Sequence, residues 1–405
     1  MRYIAPEIEK TLQGHHKMAF IAGPRQVGKT TLLKKMLTDQ AGDAYFNWDV
    51  TEHREKILRS KENFWTNPVG RTEPPVRIGL DEIHKYPRWK QFLKGLYDQH
   101  GKTLQIIVTG SGRLDVYQRG GDSLFGRYYL FRLHPFTLGE FLSNGLGAPT
   151  KPNLFFENIM ASEPAHGADK ALGLIEKFSG FPEPLFDGTE ETLSRWRRQH
   201  RDLVLREDLR DLSQIREIGL IDALVQMLPS KIGAPLSLNA LREDLNVSFG
   251  AVKNWIDTLA RLYFLFEIRP YTGKLSRALR REGKVYLYDP SIIENEGARF
   301  ENVVALHLRK LIDAWNDFGH GDFDLHYVRN KEKKETDFLI TDRQKPLALV
   351  EAKLSESDVD PSLAYFAERL KTPHALQVVR KLERKRETNT GKIAVISAIR
   401  LLSQI

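Results

Sequence analysis

At 405 residues, with 41% hydrophobic and 28% charged side chains, the chain is long enough for two or three domains, each with its own core. No apolar run approaches the ~18 residues of a membrane span, acids stand near the start where a secretory leader needs its apolar centre, and there is no cysteine to supply disulfides or thiolate metal sites. A cytoplasmic, membrane-independent protein is expected, and the formal charge of +8 favours an anionic partner, nucleic acid first among them.

Residues 1–145 alternate short apolar strands with helical stretches, the pattern of a parallel sheet covered by helices. The predicted strands are Met18–Ala22, Ala44–Trp48, Val76–Asp81, Leu104–Thr109 and Tyr128–Leu133. Between the first strand and the helix after it lies Gly23-Pro24-Arg25-Gln26-Val27-Gly28-Lys29-Thr30. Glycines at both ends let the backbone curl so that successive N–H groups and a helix N-terminus face a phosphate. In such a loop Lys29 reaches the β- and γ-phosphates of ATP and the Thr30 hydroxyl ligates Mg²⁺, with Thr31 beside them.

The strand Val76–Asp81 alternates Val76, Ile78 and Leu80, and delivers Asp81-Glu82 at its C-terminal end, where ligands bind in open α/β sheets. Asp81 is expected to act on Mg²⁺ and Glu82 to orient the attacking water. Arg77 and Gly79 interrupt the apolar pattern of this strand. The next strand ends in Thr109-Gly110-Ser111, where either hydroxyl is a candidate sensor of the γ-phosphate or an ordinary turn residue.

The stretch Ala148–Gly167 reads as an excursion or loop, and Phe181-Pro182-Glu183-Pro184 breaks the helix before a basic amphipathic run through Arg195, Arg197, Arg198 and Arg201, read as a helical lid and connector. From Ile215 to Asp289 three helical segments precede two short strands, the layout of a winged helix. Leu238–Leu245 and Phe249–Leu262 are separated by Asn246-Val247-Ser248, with Ser248 as the N-cap of the second helix. The wing carries Lys274, Arg277, Arg280 and Arg281.

The last third begins with a helix near Arg299 and continues through strands Asp324–Arg329, Asp337–Ile340 and Leu347–Lys353, a helix Pro361–Leu370, a strand Ala375–Val379 and a strand-helix unit Lys392–Leu402. Strand alternation puts Glu351 and Lys353 on one face, so that with Asp337 two carboxylates and an ammonium converge beside the basic run Arg329–Lys334. Such a group suits a hard divalent cation and a phosphodiester. The histidines show no zinc-ligand spacing.

The chain resembles bacterial and archaeal AAA-type ATPases of the branch that carries a C-terminal domain of unknown function. The resemblance rests on the loop Gly23–Thr30, Asp81-Glu82-Ile83-His84, Thr109-Gly110-Ser111, Gly126-Arg127, His134-Pro135-Phe136 and Gly180-Phe181-Pro182-Glu183-Pro184. It implies an arginine near Gly126 that stabilises charge on the γ-phosphate, Arg127 being the candidate and Arg113 its rival. The last domain is similar to the PD-(D/E)XK nuclease core of restriction endonucleases and Holliday-junction resolvases. That similarity implies Mg²⁺ or Mn²⁺ on Asp337 and Glu351, Lys353 serving the water and Glu301 as auxiliary ligand; whether such a site cuts stays open here.

The resulting expectation is an α/β chain with a P-loop ATPase core at 1–145, a helical lid and connector at 146–212, a winged helix at 213–290 and a restriction-endonuclease-like domain at 291–405. Its leading function is a DNA-directed ATPase acting on DNA, branched or with free ends, with self-association into a homo-oligomer open. The rival is an ATP-dependent switch that works through protein–protein contacts and carries a non-cutting C-terminal scaffold.

Overall fold

The computed structural model describes residues 2–37, 44–66, 75–110, 124–143, 150–208, 218–272, 282–355, 358–382, 387–389 and 393–405. Its contacts divide into two compact units, Met1–His134 and Pro135–Ile405. Among the described residues no helix is long and apolar enough to cross a membrane.

The first unit runs α1 (Ala5–Gly14), β1 (Met18–Ala22), α2 (Lys29–Leu37), β2 (Ala44–Asn47), α3 (Thr51–Arg59), β3 (Val76–Asp81), α4 (Trp89–His100), β4 (Leu104–Thr109) and β5 (Tyr128–Arg132). The strands form one parallel sheet in the order β2-β3-β4-β1-β5, so β4 separates the strand before the phosphate loop from the strand that ends in Asp81. Every residue of β1 is buried, as a central strand with both faces covered requires. The two odd residues of β3 have structural explanations. The Arg77 guanidinium is held by Glu9, Gln105 and the Met36 carbonyl, and a Cβ on Gly79 would lie 2.7 Å from Leu33 and 2.8 Å from Leu37, so glycine lets α2 close onto the sheet.

The second unit opens with α5 (Leu138–Leu142), α6 (Pro152–Ala161), α7 (Ala168–Phe178), α8 (Pro182–Asp187) and α9 (Glu190–Asp202). The expected loop at Ala148–Gly167 is corrected here. Pro152 takes a first-turn position, where its missing N–H costs nothing, and Phe155, Phe156 and Ile159 bury one side of a helix. Then come α10 (Ile218–Met227), α11 (Leu238–Asp244) and α12 (Phe249–Arg261), with Ser248 accepting a hydrogen bond from the Ala251 N–H at 3.1 Å as the cap of α12.

The remaining elements are β6 (Leu265–Pro270), β7 (Lys284–Leu287), α13 (Glu296–Asp317), β8 (Phe323–Arg329), β9 (Glu335–Asp342), β10 (Lys345–Lys353), α14 (Pro361–Leu370), β11 (His374–Val379), β12 (Thr388–Asn389), β13 (Ala394–Ser397) and α15 (Ala398–Leu402). These strands form a single mixed sheet in the order β12-β13-β11-β10-β9-β8-β6-β7. It crosses the expected boundary at 290/291, because β6 pairs in parallel with β8 through Arg269–His326 and Pro270–Tyr327. The hairpin expected to belong to a separate winged helix therefore extends the C-terminal sheet. Helix α14 covers Val328, Leu339 and Leu349 through Leu363 and Phe366.

The long helix α13 is buried over most of its circumference, and polar side chains inside it are satisfied individually. The His307 Nε2 accepts from the Leu138 N–H at 2.9 Å, while its Nδ1 faces the Val303 carbonyl at 2.7 Å. Burial, with the nearby Lys310 charge, pushes this imidazole down to about 3. A base whose folded pKa lies below its unfolded value contributes full stability above the unfolded value near 6.5, and loses it as pH falls toward 3. Between pH 7.5 and pH 5 the loss attributable to His307 is about 2 kcal/mol. Urea unfolding of the parent and of His307→Gln at both pH values measures it, and the parent should show the steeper acid dependence by that amount.

Candidate nucleotide site and a carboxylate cluster

The phosphate loop leaves β1 at Gly23 and enters α2 at Lys29. Gly23 has φ +150, and a Cβ there would collide with the Leu133 carbonyl oxygen; Gly28 has φ +98. Both conformations favour glycine, which is why the loop can curl within so few residues. Gln26 also adopts a left-handed φ of +59, Arg25 is half-buried and Val27 is fully buried beneath the loop. Arg2 holds the loop from outside, donating to the Val27 carbonyl at 2.8 Å and the His134 carbonyl at 2.5 Å. Nothing in the local sequence marks Arg2, since its partners are main-chain oxygens distant along the chain.

The Lys29 ammonium points into the loop, donating to the carbonyls of Gly23 at 2.9 Å and Pro24 at 2.6 Å. The Thr30 hydroxyl donates to Asp81 Oδ2 at 2.7 Å, across from α2 to the end of β3. Asp81 also accepts from the Tyr45 hydroxyl at 2.9 Å and, through Oδ1, from the Thr109 hydroxyl at 2.5 Å. Burial, then the Asp81 charge, raises the Tyr45 phenol well above its ordinary value, so it remains a donor. The hydroxyl of Thr109 is thus committed to orienting Asp81. Ser111 and Arg113 lie outside the described residues, and Thr31 sits exposed on the first turn of α2.

Glu82 follows in a left-handed conformation, φ +56, which turns its side chain away from the strand direction. Burial raises its carboxyl above the usual range, with the Lys29 and Lys85 charges opposing, and its buried Oε2 makes no hydrogen bond. Its nearest cations are Lys85 at 3.8 Å and, if protonated, His84 at 3.5 Å. A carboxylate of raised proton affinity with an unused acceptor is suited to holding a water.

The residues fit Mg²⁺ and a nucleoside triphosphate. Thr30 and Asp81 present hard oxygens within hydrogen-bond reach of each other, and the glycine-built loop precedes a helix N-terminus. Gly23–Thr30 would hold the phosphates, Thr30 and Asp81 the metal and its waters. A metal held there would supply neutralisation of charge on the phosphates.

Arg127 is not brought to this site. The Met18 N–H donates to the Arg127 carbonyl, which places Arg127 at the N-terminal end of β1 and β5, while the phosphate loop follows their C-terminal end about 16 Å away at ~3.3 Å per residue. Its guanidinium is paired with Asp98 at 2.7 and 3.1 Å. Arg127 therefore does not serve the nucleotide loop of its own chain.

In the second unit the structure does bring Glu301, Asp337, Glu351 and Lys353 together, and adds members that the sequence reading missed. A shift of β8–β9 register between His326 and Val328 opens the ladder beside Asp337. The Asp337 N–H then donates to Glu351 Oε2 at 3.2 Å, and Asp337 Oδ2 accepts from the Ala352 N–H at 3.1 Å. Lys353 lies 2.9 Å from Glu351 Oε1 and 3.0 Å from Asp360. Burial works against its charge, yet hydrogen bonds to Glu351 and Asp360 outweigh it and hold Lys353 above the ordinary lysine value.

The unforeseen member is Lys284 at the start of β7. Its side chain is 1% exposed, and Nζ lies 2.8 Å from Glu335, 3.2 Å from Glu301 Oε1 and 3.3 Å from Asp337 Oδ1. The Tyr286 hydroxyl donates to the same Glu301 oxygen at 2.7 Å. Of the three expected metal ligands, Glu301 and Asp337 are held by the Lys284 ammonium, while Glu351 is held by Lys353 and the Asp337 N–H. No group of three acids or histidines with metal-binding geometry occurs among the described residues. The wing arginines Arg277, Arg280 and Arg281, with Lys274, lie outside the described residues.

The sheet order, the glycine-built loop and the Thr30–Asp81 pair give the first unit the architecture of a P-loop nucleotide-binding domain. Residues 15–142 match the AAA domain family, residues 178–296 a domain of unknown function (DUF8612), and residues 296–400 another domain of unknown function (DUF4143). The chain is similar to an uncharacterised protein of Methanocaldococcus jannaschii, 23% identical over 301 residues, covering 69% of this chain and 62% of that protein. It is also similar to an uncharacterised protein of Mycobacterium tuberculosis, 20% identical over 340 residues, covering 80% and 67%. The match thus spans less than two thirds of the archaeal relative. Among solved structures, the ORC1 protein of Aeropyrum pernix in complex with DNA aligns with TM-score 0.31 and 16% identity over 76% of this chain and 94% of that one. Drosophila ORC bound to DNA aligns with TM-score 0.28 and 15% identity over 69% and 90%.

Proposed function

We propose that the chain is a DNA-directed ATPase, in which ATP binding and hydrolysis at the Lys29–Thr30–Asp81–Glu82 site control engagement of DNA by the second unit. The observation that carries the hydrolytic half is the pairing of a fully oriented Asp81 with a neighbouring Glu82 whose buried oxygen has no hydrogen bond. Asp81 serves the metal and Glu82 holds the attacking water in line.

Support for the DNA half comes from α11 and α12. In a helix-turn-helix the first turns of the second helix reach base edges, and α12 exposes Phe249, Lys253 and Asn254 there while Val252, Trp255, Ile256 and Leu259 face inward. Lys and Asn are the side chains that read guanine and adenine edges, and the +8 formal charge supplies attraction to phosphate.

DNA should raise ATP turnover several-fold at low salt, with the effect falling steeply as salt rises because phosphate contacts release counterions. Lys253→Ala combined with Ala at Arg277, Arg280 and Arg281 should remove the stimulation and keep the basal rate. Turnover and DNA retardation that are both unaffected by these substitutions would favour the switch that works through protein contacts.

A further inference from the structure

We propose that Lys284 is the built-in cation of the carboxylate cluster in the second unit, standing in place of the divalent ion of a nuclease centre, so that this unit engages its partner without cutting a phosphodiester. The inference concerns a site in the second unit and is independent of ATP turnover in the first.

The first support is position. The Lys284 ammonium is within 3.3 Å of Glu301, Glu335 and Asp337, three carboxylates carried by α13 and β9, so it occupies the point where their oxygens converge. A magnesium ion placed there would need oxygens at ~2.1 Å and would overlap the ammonium.

The second support is that the lysine has nowhere to go. Lys284 is in the edge strand β7, yet the segment ahead of α11 seals that edge: Pro235 bridges to Lys284, and the Leu236 N–H donates to the Gly283 carbonyl at 2.8 Å. The side chain is 1% exposed. Displacing it would leave a buried ammonium without partners.

The third support is that the would-be ligands are already in use. Glu301 Oε1 accepts from Lys284 and Tyr286, Asp337 from Lys284 and the Ala352 N–H, and Glu351 from Lys353 and the Asp337 N–H. Arg329 at 3.2 Å from Glu335 adds a further cation at the margin.

The test is Mn²⁺ titration of the full chain without nucleotide, followed by the loss of the free-ion resonance, for the parent, Asp337→Asn, Lys284→Met and the double variant. The parent and Asp337→Asn should bind Mn²⁺ alike, and neither should cut end-labelled linear or branched DNA in Mg²⁺ or Mn²⁺. Lys284→Met should gain at least about tenfold in Mn²⁺ affinity, equivalent to 1.4 kcal/mol, and Asp337→Asn should abolish the gain. Mn²⁺ binding or DNA cleavage by the parent that disappears in Asp337→Asn would overturn the proposal. So would a Lys284→Met of parental circular dichroism that binds no more tightly than the parent. Should Lys284→Met not fold, the comparison of parent with Asp337→Asn still decides.

Discussion

Glu82→Gln is expected to lower ATP turnover by about two to four orders of magnitude, the usual contribution of a positioned base, while ATP stays bound. The carboxyl is buried, its Oε2 lacks a hydrogen bond, and it stands one residue from the Thr30-bound Asp81, so an amide of the same shape preserves packing but loses the charge that holds the water. Lys29→Ala should behave differently. Its ammonium lies inside the loop against the Gly23 and Pro24 carbonyls, so its removal should weaken ATP binding and abolish turnover together. Single-turnover hydrolysis combined with a fluorescent-nucleotide titration separates the two effects. Undiminished turnover in Glu82→Gln would remove Glu82 from the reaction.

Lys310→Met should destabilise the second unit by about 3–5 kcal/mol, the cost of leaving one member of a buried ion pair without its partner. Lys310 and Glu140 are both fully buried, 3.0 Å apart, and the ammonium also donates to the Thr137 hydroxyl at 2.5 Å and to a main-chain oxygen of Ile405 at 3.0 Å. One side chain thereby ties α13 to α5 and the chain after α15. The double variant Lys310→Met with Glu140→Leu should recover much of the loss, since an apolar pair removes both charges at once. Urea denaturation of parent, single and double variants measures this. A single variant within 1 kcal/mol of the parent would show that the pair contributes no such coupling.

Much of the first unit can be read from the linear sequence because its determinants are local. A glycine-flanked loop between an apolar strand and a helix, and an acidic pair at the end of an alternating strand, specify both the elements and their chemistry within a few residues. The β3 interruptions were ambiguous for the opposite reason: Arg77 is satisfied by Glu9 and Gln105, and Gly79 by α2, all distant in sequence. Arg127 followed a motif, but motif proximity says nothing about which end of a parallel sheet a residue occupies, and its pairing with Asp98 is set by packing. The helix at Pro152–Ala161 was hidden by the Ala, Pro and Asn residues in and around it; burial of Phe155, Phe156 and Ile159 is what orders it.

The sequence by itself determined the parallel-sheet core, the phosphate loop, and the convergence of Asp337, Glu351 and Lys353, because strand alternation and loop chemistry are short-range properties. Only the tertiary structure decided what that convergence contains. Lys284 reaches Glu301 and Asp337 because β6 joins β8, bringing a hairpin from the middle of the chain into the C-terminal sheet. Strand pairing between segments separated by dozens of residues is fixed by burial of both sheet faces, and no local pattern around Lys284 records it.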